Sequence, residues 1–180
     1  MVYVLLANGF EEIEAITPID ILRRAGLTVK TVAVGENPVL GAHNIPVLAD
    51  IGIGEVVSEE AQLIILPGGM PGTTNLESSD AVCSLVRTAF KNAIPIGAIC
   101  AAPSILGHMG LLRGKNATCF PGFEDALTDA TVKDAAVVVD GTVITARGAG
   151  CAAEFGFALA ALLAGRTKAD ALRRTMQYKD

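Results

Sequence analysis

The chain has 180 residues and a net charge of −5, with 51% hydrophobic and 18% charged residues. That length suits one domain, 1–180, with room for a full core, and the composition excludes a disordered chain. With no basic block, no Trp and few aromatics, it lacks a nucleic-acid footprint, and no apolar run is long enough to span a bilayer.

Val2 to Ala7 reads as a buried strand. It lacks the basic n-region of a signal peptide, which points to the cytoplasm. Asn8 is a fair helix cap with Glu11 in the capping-box position. The helix that follows should carry Ile13 and Ile16 inward, break at Pro18, recap at Thr17 and resume through Ile19, Ile21 and Leu22 to Gly26. Leu27 to Val34 is a second strand, which completes a βαβ unit. Residues 35–54 are irregular, with room for short strands at Val39 and at Pro46 to Leu48. Gln62 to Leu66 is a third buried strand, running into Pro67-Gly-Gly-Met-Pro-Gly72. A helix starts at Ser79 or Asp80 and runs through Phe90.

Next comes Ile94-Pro-Ile-Gly-Ala-Ile-Cys-Ala-Ala-Pro103, an apolar strand that passes into a helix with almost no loop. Cys100 falls at that turn. The layout is that of a hydrolase nucleophile elbow with Cys in place of Ser. A helix N-terminus there would stabilise a thiolate and lower its pKa below ~8.5. The alternative is an inert core cysteine. A short strand and loop follow around Cys119-Phe120. Val137 to Thr145 is a hairpin with Asp140-Gly141 suited to a type I′ turn. An apolar helix spans Ala152 to Ala164, and a polar one begins near Thr167. Strands alternating with helices predict a parallel sheet covered on both faces.

In such sheets ligands bind at the carboxyl ends of the strands, so the loops Asn8–Glu14, Pro67–Gly72 and Cys100–Pro103 should converge. Gly68 and Gly69 can bring backbone N–H groups close to a ligand and, with the N–H of Ala101, form an oxyanion site; a plain turn is the other reading. The loop lacks the Gly-Lys-Ser/Thr ending of a phosphate-binding loop. Glu11 and Glu12 sit in the first helical turn, where the dipole favours acids. Glu14, close to the apolar stripe, would be partly desolvated, with a raised pKa. Protonated, it could donate to a Cys100 thiolate and act as general acid/base; an exposed helix glutamate is the alternative. His108 lies ~12 Å along its helix from Cys100, too far for a dyad, and His43 sits in the irregular segment. Cys83, Cys100, Cys119 and Cys151 show no CxxC or zinc spacing, so no metal is expected and the thiols should be free.

Five motifs recur together in order: Asn8-Gly-Phe-Glu-Glu-Ile-Glu14, Asp20-Ile-Leu-Arg-Arg-Ala-Gly26, Leu66-Pro-Gly-Gly69, Ala98-Ile-Cys-Ala-Ala-Pro103, and Arg147-Gly-Ala-Gly150 followed by Glu154-Phe155. In these the chain resembles the ThiJ/PfpI superfamily, in its DJ- and YajL-like branch, along essentially its whole length. The resemblance implies an α/β, flavodoxin-like three-layer sandwich with a mostly parallel central sheet and a nucleophile-elbow cysteine, commonly homodimeric. It implies a reactive Cys100, a carboxyl partner Glu14, and backbone donors at Gly68, Gly69 and Ala101. The implied activity needs no cofactor and acts on small dicarbonyls such as methylglyoxal (glyoxalase III type), or on their early adducts on protein side chains (deglycase). A redox-sensing stress protein or chaperone that uses oxidation of Cys100 is the implied alternative. An amidase or peptidase role is weakened, because Ala101 stands where the peptidase-like branch has His, and Phe120 where some members have His. Ala149 replaces a usual Pro.

Overall fold

The computed structural model describes residues 1–178. Seven strands form the main sheet: β1 (Val2–Ala7), β2 (Val29–Val34), β5 (Ile51–Gly52), β6 (Leu63–Leu66), β7 (Ile96–Ile99), β10 (Val137–Asp140) and β11 (Val143–Ala146). Two short pairs lie apart from it: β3 (Val39–Leu40) with β4 (Pro46–Val47), and β8 (Asn116–Ala117) with β9 (Thr131–Val132). The order in the main sheet is β10-β11-β7-β6-β1-β2-β5, and every pairing is parallel except the β10–β11 hairpin. From β1 the chain runs outward to β2 on one side, and later to β6 and β7 on the other. The order therefore reverses between β1 and β6, where α/β sheets hold their ligands.

The helices are α1 (Glu12–Arg24), α2 (Gly72–Glu77), α3 (Asp80–Lys91), α4 (Pro103–His108), α5 (Ala152–Ala164) and α6 (Arg166–Thr175). Alternation along β1 sorts them into two cores. Val2, Val4 and Leu6 pack with residues of α1, α5 and α6, while Tyr3, Leu5 and Ala7 pack with residues of α3 and α4. Both faces of β1 are fully buried, which is why its sequence is a continuous apolar run rather than an alternating one. The result is a mostly parallel α/β sheet sandwiched between two helical layers, as expected.

Several local expectations need correction. Helix α1 starts at Glu12 with Glu11 as its cap residue and runs unbroken through Pro18. Asn8 does not cap it; its side chain accepts from the Leu40 N–H at 2.8 Å. Pro18 leaves the Glu14 carbonyl without a helical donor, yet the helix is held against α5, where Pro18 Cα and Ile21 crowd Gly156. Its buried face is Ala15, Pro18, Ile19, Ile21 and Leu22, whereas Ile13 and Ile16 point outward, 53% and 43% exposed. Helix α2 goes beyond the elements that the sequence predicts, and Ile51–Gly52 adds edge strand β5 to the sheet. In the hairpin Asp140 pairs with Val143, so Gly141 and Thr142 are the turn residues. Gly141 has φ +62 and Thr142 is not left-handed, the pattern of a II′ turn rather than I′.

Candidate functional site

Strands β1, β6 and β7 end side by side, and the loops after them meet. The Glu11 N–H donates to the Gly68 carbonyl at 2.9 Å, which ties the start of α1 to the loop after β6. Cys100 follows the last residue of β7 with φ +65, a left-handed conformation in a non-glycine residue. Such a conformation costs of order 1–3 kcal/mol and persists only where the surroundings hold it. Here both of its peptide groups are held. Its N–H donates to the Ala146 carbonyl at 2.9 Å, and its carbonyl accepts from the Phe120 N–H at 2.8 Å. The chain thus turns sharply at Cys100, and its half-buried side chain faces the loop junction.

Glu14 comes from the first turn of α1 and is fully buried. Its Oε2 accepts from the Gly68 N–H at 2.9 Å. Its Oε1 is buried with no hydrogen-bond partner among the described residues. Carboxyl and thiol interact strongly, but their contact falls short of hydrogen-bond geometry in this resting arrangement. Burial pushes the Glu14 carboxyl up to about 7, against the opposing pull of Cys100 and the Gly68 N–H. Burial, and then the neighbouring Glu14 charge, push the Cys100 thiol up to about 12. Only the backbone N–H groups of Gly69 and Ala101 at the sulfur oppose that rise.

This differs from the expected low thiol pKa, and the reasons are burial first and the neighbouring carboxyl second. An ionised Glu14 repels a thiolate; a protonated one removes the repulsion and becomes a donor. Above about pH 7 the two groups therefore hold one proton between them until the thiol itself titrates. Expected donors are also redistributed. Gly69 and Ala101 face the sulfur, but the Gly68 N–H is spent on Glu14, so Gly68 positions the acid rather than a ligand. A side chain at Gly68 has no room: its Cβ would lie 2.6 Å from Glu14 Oε2 and 2.7 Å from Cys100 Cβ.

The remaining candidates sit elsewhere. His108 pairs with Glu77 at 2.6 Å. Glu12 is buried: it accepts from the His43 N–H at 2.8 Å and meets the His43 ring at 2.8 Å. These partners are 31 residues apart, so no local signal could have revealed the contact. Glu11, Glu12 and His43 bring three metal-ligating atoms within 4.8 Å of one another. However, Glu12 is already committed to His43, and the N-terminal end of a helix disfavours a cation. All four cysteines are free thiols, and burial raises Cys83, Cys119 and Cys151 as well.

Known proteins share this arrangement of elements. The chain is 38% identical to the protein dj-1beta of Drosophila melanogaster over 168 residues, 92% of this chain and 90% of that one. It is 34% identical to a deglycase of Pyrococcus horikoshii over 145 residues, 79% of this chain and 87% of the deglycase. It spans only 39% of the length of the DJ-1 homolog B of Arabidopsis thaliana, to which it is 37% identical. The crystal structure of Drosophila DJ-1beta superposes with a TM-score of 0.94 at 34% identity, covering 99% of this chain and 98% of that one. An oxidized Toxoplasma gondii DJ-1 gives 0.94 at 33%, with the same coverage. The model of the DJ-1/PfpI family matches residues 1–162. A match over nine-tenths of the chain, with relatives of this identity and the same fold, settles the classification: the chain belongs to the DJ-1/PfpI family.

Proposed function

We propose that this protein is a cofactor-free, cysteine-dependent enzyme that acts on reactive dicarbonyls such as methylglyoxal, or on their early adducts with protein side chains. The observation that carries this reading is the buried Glu14 beside Cys100, raised to about 7 and with its Oε1 unpartnered. Such a group can give and take a proton at neutral pH, which is what a general acid/base needs. The deglycase among the relatives supports the same substrate class.

The steps follow from the groups present. With the shared proton on Glu14, the Cys100 thiolate attacks the aldehyde carbon, and the new alkoxide takes the proton from Glu14. The product is a hemithioacetal, with the Gly69 and Ala101 N–H groups beside the reacting sulfur. Glu14 then removes the proton from the former aldehyde carbon to give an enediolate and returns one to the neighbouring carbonyl carbon, while the hydroxyl proton of the hemithioacetal passes to the neighbouring oxygen. The resulting thioester is hydrolysed by water to a 2-hydroxy acid and the free thiol. No outside oxidant enters, since one carbon is oxidised as its neighbour is reduced. Methylglyoxal turnover by wild type and Cys100→Ser tests the reading. Loss of at least a hundredfold is expected, and undiminished turnover in Cys100→Ser would refute it.

A second reading has support of its own. A half-buried cysteine beside a protonated carboxyl would also hold a sulfinic acid, and a solved relative is an oxidized DJ-1. Oxidation of Cys100 would then signal stress or switch on a chaperone. We also propose a homodimer in the cytoplasm. Ile13 and Ile16 on α1, with Leu40, Ile45 and Leu48 (75% exposed) around the β3–β4 hairpin, leave an apolar face suited to a second copy. Ile16 and Leu48 line one recess there. Four free thiols fit a reducing compartment, and no helix among the described residues is long and apolar enough to cross a membrane.

A further inference from the structure

Helix α1 begins without a side-chain cap, yet its first turn carries Glu14. Besides the Glu11 N–H on the Gly68 carbonyl, the loop between β3 and β4 fixes that turn. The loop lies along the chain that leads into α1. The Gly9 N–H donates to the Leu40 carbonyl at 2.7 Å, and the Ala42 N–H to the Phe10 carbonyl at 2.8 Å. Glu12 then fastens the tip of the loop. Its Oε1 accepts from the His43 N–H and its Oε2 meets the His43 ring at Nδ1, each at 2.8 Å. Gly41 completes the grip, because the Glu12 side chain occupies the place that a Cβ there would take. Glu12 is only 7% exposed, and a carboxylate so buried is costly unless its oxygens are partnered. His43 partners both.

The same ring faces a second acid, with Glu11 Oε1 3.7 Å from Nδ1. After burial, the Glu11 charge is the other influence that pushes Glu14 up. The charged and titratable groups that act on Glu14 are thus Cys100 and Glu11, and those that act on His43 are Glu12 and Glu11. The hydrogen bond with Glu12, and then the charges of Glu11 and Glu12, raise His43 above its ordinary value, which favours its cation. We propose that His43 is a positioning residue for Glu14: through Glu12 its loop fixes the turn of α1 that carries the acid, and through Glu11 its ring offsets the charge that acts on the acid. This role rests on the dicarbonyl reading above, in which Glu14 moves the proton. His43 acts through Glu11 and Glu12 rather than on the reacting atoms.

The test reads Glu14 directly. Carbon-13 NMR of its carboxyl, identified by the signal lost in Glu14→Gln, gives the titration midpoint of that group without substrate. In wild type the midpoint lies at about 7. His43→Ala removes the cation beside Glu11, so the midpoint should rise by about half a unit, the effect of one charge roughly 10 Å away at an intermediate effective dielectric. In the same variant kcat for methylglyoxal should fall about tenfold or more with KM close to wild type, because the loosened turn misplaces a group that acts in the transition state. His43→Arg supplies a fixed cation and planar N–H donors for Glu12. It should return the midpoint to the wild-type value or below and recover kcat. General damage to the fold would not be undone by a larger side chain. A midpoint or a kcat that His43→Ala leaves unchanged, or a shift that His43→Arg does not reverse, overturns the role of His43 and leaves the dicarbonyl reading in place. A wild type that leaves methylglyoxal untouched overturns that reading alone, because the midpoints are read without substrate.

Discussion

Replacing Glu14 by Gln should make the protein more stable at neutral pH, by an amount that the buried carboxyl sets. In the folded chain the carboxyl is raised from 4.5 to about 7. Between these values the folded state keeps a proton that the unfolded state has released. Stability therefore falls as pH rises through that window, and the loss is complete above the folded value. A shift of about 2.5 units at ~1.36 kcal/mol each corresponds to roughly 3 kcal/mol. Gln has no proton to lose, can still accept from the Gly68 N–H, and turns an amide toward Cys100. The difference in unfolding free energy, Glu14→Gln minus wild type, should be flat below pH 4.5. It should climb by roughly 3 kcal/mol up to pH 7 and level off above it. Urea unfolding at half-unit steps from pH 4 to 8 measures it. The same samples report the thiol: without the carboxylate's repulsion, the ultraviolet absorbance of the Cys100 thiolate should appear at lower pH than in wild type. A difference that does not change across pH 4.5–7, or that shrinks as pH rises, would show that Glu14 is not held protonated by burial, and the proton-sharing pair would fall with it.

Two further changes probe the framework of the site. Gly68→Ala places a methyl against the Ile99 carbonyl as well as Glu14 and Cys100, so it should cost about 1–3 kcal/mol by overpacking. It should also abolish methylglyoxal turnover by displacing the acid; turnover equal to wild type would contradict the tight packing of these three groups. Ile16→Glu puts a charge in the exposed apolar face, and light scattering should then show one chain per particle where wild type shows two. A wild type that is already monomeric, or a variant that stays dimeric, removes that face as the dimer contact.

Local pattern determined much of this protein. The apolar runs of β1, β6 and β7 could only be strands buried on both faces, because the sheet is parallel and helices cover both sides. The Cys100 turn was legible because a strand passes straight into a helix there, and the five ordered motifs placed Glu14 opposite it. What the sequence could not decide depends on contacts made across the chain. Whether Ile13 and Ile16 face in or out is set by how α1 rotates against α5, and their apolar character fits either a core or a partner surface. Whether the Gly68 N–H serves a ligand or Glu14 depends on a contact spanning 54 residues. The thiol pKa followed the same rule. Position at a helix start argued for a lowered value, but burial beside a carboxyl reverses the sign, since two like charges cannot both persist in a dry pocket. Burial and juxtaposition are properties of the packed chain, so only the tertiary structure could turn Cys100 and Glu14 from two candidates into a pair that shares one proton.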